Sequence, residues 1–574
     1  MRLTIARSWV LGAALVLAWT AGARGIELAP WAAVLTVATV AWLMLGALRH
    51  GLRVGRVHLL GAGMVGWMVI AALLRPVAPA SAAVVVATAG VAVVLLLVTA
   101  SPLARDLAAA VVVAVGTISG LVLIVMRMGG EARPAGLFGN PNLSALVAFL
   151  GLTTAGIWRR APALVRGAAA VLALAGIFAS GSRGVLLAVL VAAAVASLGR
   201  FPVRVRAALG VLAALALVGL GVRLVRDRDP LRWERVRIWQ VGLATVRAEL
   251  PWGSGPSGFE DAAAPHNFPR DGEFARWGRN VGVAESDPLQ LVATLGLPGL
   301  LLLLGSGAAL AGPVRRAGPG GWAMIGGVAV ATAVDTTLIA PVVVWTLALA
   351  VSAALPLATH RLPPRRDRCA ALLMASASLV AGVALAVPAA WPGGSIDQAL
   401  TRASSALQGP GSDEALADGE FAALRLTQVR PRWGQAWRTL AALELRRGQE
   451  RGDTALIAAA AEAYAAARRV NPQDAWAAFG EGRALRSLGR GAQARVALTL
   501  AVTLEPNLAP GWYELAVLAL QEGRLDAARA ALERLDMAVG AGPHVTAISD
   551  YERSLARVDE TTVERLRAAV GSGR

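Results

Sequence analysis

Runs of apolar residues, each close to the length that crosses a bilayer as a helix, fill the first 392 positions of this chain. They lie near 8–23, 29–48, 57–74, 82–100, 107–126, 142–158, 162–180, 184–198, 204–225, 288–312, 321–338, 340–358 and 369–390. A hydrocarbon core of about 30 Å takes about 20 apolar residues in helical form. By that measure the runs at 142–158 and 184–198 are short, and 321–338 is poorly separated from 340–358. Lipid offers no hydrogen bonds, so a buried run must satisfy its own backbone as a helix. Of the 574 residues, 56% are hydrophobic and only 16% charged, which excludes an ordinary soluble enzyme and a disordered chain.

The formal charge is +18, and all 55 basic residues are Arg. Such a balance can signal nucleic acid, but here the Arg residues sit mostly between the apolar runs, so no nucleic-acid partner is expected. Taken as spans, all thirteen runs sort their loops into two sets. One set carries Arg2 and Arg7; Arg49, Arg53 and Arg56; Arg105; Arg159, Arg160 and Arg166; Arg200, Arg204 and Arg206; Arg315 and Arg316; and Arg361, Arg365, Arg366 and Arg368. The other carries only Arg24, Arg75, Arg127, Arg133 and Arg183 in its short loops. The positive-inside rule then puts the N-terminus in the cytoplasm, and the long segment 226–287 and everything after the last span outside. The first run also fits a signal peptide, whose removal would leave the later orientation unchanged. One cysteine, Cys369, permits no intramolecular disulfide and no cysteine-based zinc site.

From 395 to 574 the composition turns to an Ala-, Leu-, Arg- and Glu-rich helical pattern with an internal repeat. SLGRGAQA at 487–494 aligns with QEGRLDAA at 521–528, and Pro472 aligns with Pro506, both at an offset of 34. An earlier copy is visible at Pro431 and Gly448, with about seven extra residues in its second turn. A 34-residue period with Gly closing one helix and Pro opening the next resembles tetratricopeptide repeats. The expected fold is therefore all-α: a polytopic membrane domain over 1–392 with about 12–13 spans, then a soluble repeat domain over 395–574. Stacked helical repeats usually present a concave surface for a protein partner; a spacer packed on the membrane domain is the plainer alternative.

Polar residues of interest collect in three places, all on the expected outer side. In GLFGNPNLSALVAFL, 136–150, Asn140 and Asn142 flank a Pro before a span, as a turn and helix cap would require. In FASGSRGVLLAVL, 178–190, Ser182 and Arg183 occupy a tight Gly/Ser turn that suits an anion, or an Arg that snorkels to the interface. The third is the loop 226–287. Arg232, Arg235 and Trp239 fall near one helical face, with Arg237 off it. Gly253, Gly255 and Gly258 predict tight turns, and Asp287 with Pro288 predicts a helix start. Glu285 then stands at the positive end of a membrane helix. Asp335 is the clearest acidic residue in a candidate span, near its outer end.

The order NPN, SRG, RxxxW, PWGSGPSGF and then SDPLQLVATLGLPGLL resembles the O-antigen ligase/Wzy polymerase superfamily over about 130–310. Members of it also carry tetratricopeptide-like tails. The resemblance implies a metal-independent glycosyltransferase without cofactors in a bacterial inner membrane. Its donor is a glycan on undecaprenyl pyrophosphate, and its acceptor a glycan, a lipid or a protein. Under it, Arg183 and Arg237 hold the pyrophosphate, since a guanidinium fork grips two oxygens, and Asn140, Asn142, Ser182, Asp287 and His266 are candidate substrate contacts. Many ligases have His-Asn just before the DxLQ-like run. This chain has Glu285-Ser286 there, so Glu285 becomes the candidate base, with His266 in the loop as an alternative. The same change suits a polymerase-like branch or an inactive homologue. A lipid-linked glycan transporter and a noncatalytic scaffold that recruits envelope proteins through its tail are the competing readings. The transporter should show charged span interiors and halves related by a repeat; the sequence has neither.

Overall fold

The computed structural model describes residues 53–77, 79–99, 102–197, 231–357, 360–361, 396–409, 412–541 and 550–571, with scattered positions between 202 and 211. The expected runs at 8–23, 29–48 and 369–390, and nearly all of 204–225, lie outside the described residues, as does Cys369. The chain divides into two compact units: Met1–Phe259 with Val283–Ala390, and Glu260–Gly282 with Trp391–Arg574.

The first unit is built from helices α1 (Arg56–Leu74), α2 (Pro79–Val98), α3 (Pro102–Met128), α4 (Pro141–Ile157), α5 (Ala163–Ser180), α6 (Arg183–Ser197), α7 (Leu231–Glu249), α8 (Asp287–Ala317), α9 (Pro319–Ala333) and α10 (Pro341–Ala354). Every apolar run expected between 57 and 198 and between 288 and 358 is a helix. Among the described residues, four helices are long and apolar enough to cross a membrane: Arg56–Leu74, Ala104–Met128, Ala163–Ser180 and Asp287–Ala317. Shorter apolar helices at Ser81–Leu97, Pro141–Ile157, Arg183–Ser197 and Pro341–Ala354 pack among them. The protein is a helical integral membrane protein.

Lipid tails are as apolar as the side chains, so helices in a bilayer associate through close backbone approach at small residues. Here α3 supplies the pair Gly116 and Gly120. A Cβ on Gly116 would stand 2.6 Å from the Gly151 Cα of α4, and one on Gly120 would stand 2.6 Å from the Leu172 carbonyl of α5. Ser119 between them donates to the Ser144 carbonyl at 2.8 Å. Around this contact the core closes on Phe149, Ile177, Met324 and Trp345. The Trp345 indole donates to the Thr88 carbonyl of α2. At one end of this bundle, Arg53–Val54 pairs antiparallel with His360–Arg361, Arg160 pairs with Asp106, and Arg316 donates to the Pro356 carbonyl. These are residues of the Arg-rich loops.

Helix α8 is broken inside its apolar run. Gly296 adopts φ 64° and ψ −156°, a region open essentially to glycine, and Pro298 follows. An unwound turn at membrane depth must have its backbone satisfied by protein. The turn after α7 does this. Ser254 and Gly255 donate to the Ala293 and Thr294 carbonyls, Leu297 donates to the Pro251 carbonyl, and the Trp67 indole donates to the Leu295 carbonyl. The PWGSG stretch is therefore a backbone splint, and its positive φ at Gly253 and Gly255 realises the predicted tight turns.

The second unit is a stack of helix pairs. It contains α11 (Ile396–Gln408), α12 (Asp413–Val429), α13 (Gly434–Arg451), α14 (Thr454–Val470), α15 (Ala475–Ser487), α16 (Gly491–Leu504), α17 (Ala509–Gln521), α18 (Leu525–Ala541), α19 (Asp550–Ala556) and α20 (Glu560–Gly571). The 34-residue period is visible in the structure. Helices α15 and α17 begin at equivalent positions, and Gly489 and Gly523 take the same left-handed conformation in the turns that follow. Ala- and Leu-lined cores run between neighbouring pairs.

Gly296→Ala places a Cβ about 2.1 Å from the Pro251 carbonyl. It is expected to destabilise the protein by at least about 1–3 kcal/mol from backbone strain alone. Thermal unfolding of the detergent-solubilised variant checks this, and an unchanged midpoint would show that the break does not require glycine.

Candidate active site

Three chain segments of the first unit meet at the end of the bundle opposite the Arg-rich loops: helix α7, the residues leading into α8, and the turn between α9 and α10. On α7, Arg235 and Trp239 are four residues apart and so share a face. Arg235 Nη1 donates to the Val334 carbonyl at 2.7 Å. Val334 caps the C-terminus of α9, where unpaired carbonyls favour a cation. The same guanidinium stands 3.5 Å from the Glu285 carboxylate and 4.0 Å from that of Asp335.

Glu285 is held in an unusual backbone conformation, φ 49°, in the left-handed region. A non-glycine residue there costs on the order of 1–3 kcal/mol unless its surroundings fix it. The Trp239 indole donates to the Glu285 carbonyl at 3.1 Å, the Ser286 N–H donates to Thr336 Oγ1 at 3.0 Å, and the Ala284 N–H donates to Gln290 Oε1 at 2.8 Å.

Asp287 is buried, with its carboxylate accepting from the Thr337 N–H, the Thr337 hydroxyl and the Leu338 N–H. Its own N–H donates to the Asp335 carbonyl. Asp287 therefore stitches the α9–α10 turn to the start of α8. Helix α8 is capped at Ser286, one position before the predicted cap at Asp287.

Burial raises the Glu285 carboxyl above its ordinary value, the Asp335 charge raises it further, and Arg235 opposes both. Burial likewise raises Asp335, against the pull of Arg235. Arg133 adds a weaker pull on both carboxyls. The site is thus two neighbouring acids around one guanidinium, arranged so that a proton is retained on the pair above the usual carboxylate range. Such a pair can take a proton from a hydroxyl nucleophile, while the guanidinium and Arg133 favour an anion nearby.

The other expected site residues are distributed as follows. Arg183 opens α6 and is half-buried; a Cβ on the adjacent Gly184 would stand 3.0 Å from the Val334 side chain, so the start of α6 lies against the residue that receives Arg235. Ser182, before it, is fully buried, and its hydroxyl has no hydrogen-bond partner among the described residues. Arg237 is exposed, about 200° around α7 from Arg235. The side chain of Arg232 lies outside the described residues. Asn140 caps α4, its side chain accepting from the Asn142 N–H at 2.8 Å. His266 lies in a 3-10 turn, Ala264–His266, within the segment that belongs to the second unit. Sequence reasoning left Arg133 without a role. The signal available for it was its place among the few Arg residues of the Arg-poor loops. Among the described residues, no group of three or more His, Cys, Asp or Glu could hold a metal ion.

Because both carboxyls are raised from ordinary values of 4.5 and 3.8, the folded pair binds protons more tightly than the unfolded chain. Their contribution to stability is fully present below those ordinary values and is lost as pH rises through the raised ones. The unfolding midpoint of solubilised protein should therefore fall as pH rises above the ordinary carboxylate values, and Glu285→Gln should flatten that fall. An identical slope in both proteins would remove the basis for a perturbed Glu285.

Residues 168–304 match the family model for O-antigen ligase. The matched stretch includes Arg183, Arg235 and Glu285, and it supports a surface-polysaccharide ligase- or polymerase-type function. No curated protein matches the chain.

Proposed function

We propose that this protein transfers or polymerises glycan from an undecaprenyl-pyrophosphate carrier on the outer face of a bacterial inner membrane, as a ligase or polymerase of surface polysaccharide. The observation that carries the reading is the meeting of Arg235, Glu285 and Asp335 at one end of the helical bundle, with Arg235 and Glu285 inside the stretch that matches the ligase family. The orientation follows from the Arg count, which assigns that end to the Arg-poor side.

The chemistry asks for two things. The leaving group is a pyrophosphate, whose growing negative charge needs preorganised cations. Arg235, Arg183 and Arg133 are the residues for that task, with exposed Arg237 as an entry contact for the anion. The acceptor hydroxyl must lose a proton as its oxygen attacks the anomeric carbon and the bond to the carrier phosphate breaks. Glu285 takes that proton. A base works best when its pKa lies near the operating pH, which is the direction in which burial and Asp335 move it. Ser182, Asn140 and Asn142 remain candidate substrate contacts. Asp287 acts through position, since its oxygens are already engaged by the α9–α10 turn. The segment 395–574 is read as tetratricopeptide-like.

In a strain lacking the gene, the wild-type protein should restore surface glycan, while Glu285→Gln and Arg235→Ala at equal protein levels should leave at least about a hundredfold less transfer. Gel and mass-spectrometric glycan profiles read the outcome. Shortened chains indicate a polymerase, and unattached full-length chains a ligase. Full complementation by both variants together with failure of a tail truncation would replace the transferase by a scaffold.

A further inference from the structure

The segment Glu260–Gly282 leaves the membrane unit and packs with the C-terminal helix pairs as one compact body. It is gripped by a recurring position of the repeat. Arg430, Asn471 and Glu505 are the C-caps of α12, α14 and α16, and each is followed by a Pro that begins the turn to the next pair. At the first of these turns, Arg430 pairs with Asp261 at 2.6 Å and with Glu260 at 3.4 Å. At the second, Gln473 donates to the Pro265 carbonyl at 3.2 Å. At the third, Glu505 accepts from the Arg276 and Trp277 N–H groups at 2.9 and 2.6 Å, and Asn507 donates to the Phe274 carbonyl at 2.7 Å. Successive repeats thus hold successive stretches of the segment, in the same order along both.

Most of these contacts are to backbone and are made by side chains that the helix pairs hold rigid. Glu505 is fully buried, and Tyr551 also donates to it. Ala275 is buried in the core of the pairs themselves. A carboxylate that spends both oxygens on two consecutive amides fixes a peptide's register as well as its place. The segment ends at Gly282, three residues before Glu285.

We infer that the C-terminal unit is an intramolecular clamp whose partner is this chain's own segment 260–282, and that by fixing that segment it holds Glu285 in its working position. Glu505, Asn507, Gln473 and Arg430 are positioning residues. The inference rests on the transferase reading for its effect on activity, and on the contacts alone for its effect on order. Misplacing a reacting group by about 1 Å can cost a hundredfold in rate, so a clamp remote from the chemistry can control it.

The test uses the full-length protein in nanodiscs, with amide hydrogen exchange and glycan transfer measured on the same samples. Glu505→Ala and Asn507→Ala should each raise exchange by about tenfold or more at 274–277 and at 283–287, with protection in α15 and α17 retained. Transfer should fall at least about tenfold in kcat, with KM for the donor within about twofold, as expected when orientation rather than binding is lost. Glu505→Gln keeps one acceptor oxygen and should fall between Glu505→Ala and wild type. Arg529→Ala, at an exposed pair on α18, should change neither reading. Unchanged exchange at 283–287 in both alanine variants would overturn the clamp, whatever the activity. Raised exchange there with unchanged transfer would overturn its catalytic purpose. Should Glu285→Gln transfer as well as wild type, the transferase reading fails, and the exchange at 283–287 still decides the clamp.

Discussion

A single guanidinium, that of Arg235, ties together the parts of the membrane unit on which the proposed chemistry depends. It closes the carbonyl end of α9, faces two carboxyls from different segments, and rides on α7, whose Trp239 holds the Glu285 backbone in a left-handed conformation. This half-buried charge is paired and hydrogen-bonded rather than left to water alone. Here the pairing crosses segments far apart in sequence, so the site exists only when α7, α8 and the α9–α10 turn are assembled. Asp287 performs the complementary task with negative charge, binding the backbone of that turn to the start of α8.

The break in α8 belongs to the same design. The turn after α7 inserts its N–H groups against the carbonyls freed near Gly296, so the helix that bears Arg235 and the helix that follows Glu285 are linked at both ends of the loop. Unwound helices in membrane proteins persist where protein replaces the missing hydrogen bonds. The α7–α8 link fixes the frame, and the segment between them is left for the C-terminal unit to hold.

Much of this was legible from composition and period. Membrane helices are long apolar runs with Arg in alternate loops, and the runs between 57 and 198 and between 288 and 358 became helices for that reason. The period of the tail was legible because Gly and Pro mark its turns. Asp335 stood out as an acid at the end of a candidate span. Long-range pairing was harder to see. Gly253 and Gly255 announced tight turns, but nothing local pointed to Gly296 as what they pack against. The face of α7 that carries Arg235 and Trp239 was visible, yet nothing local showed which carboxyls Arg235 would meet. The segment 260–282 read as part of one outer loop, because its attachment depends on cap residues about 150 or more positions away, such as Arg430 and Glu505. Asn140 caps a helix, as its place before Pro predicts.

The most direct test of the transferase reading is release of undecaprenyl pyrophosphate from a glycan-loaded carrier by the purified protein in nanodiscs, with acceptor supplied, across a range of pH. Release should require acceptor and should rise with pH through a midpoint above the ordinary glutamate value of 4.5. That limb of the profile should vanish with Glu285→Gln. Equal release from the wild-type and Glu285→Gln proteins at every pH, or none from either, would contradict a reaction carried by this site.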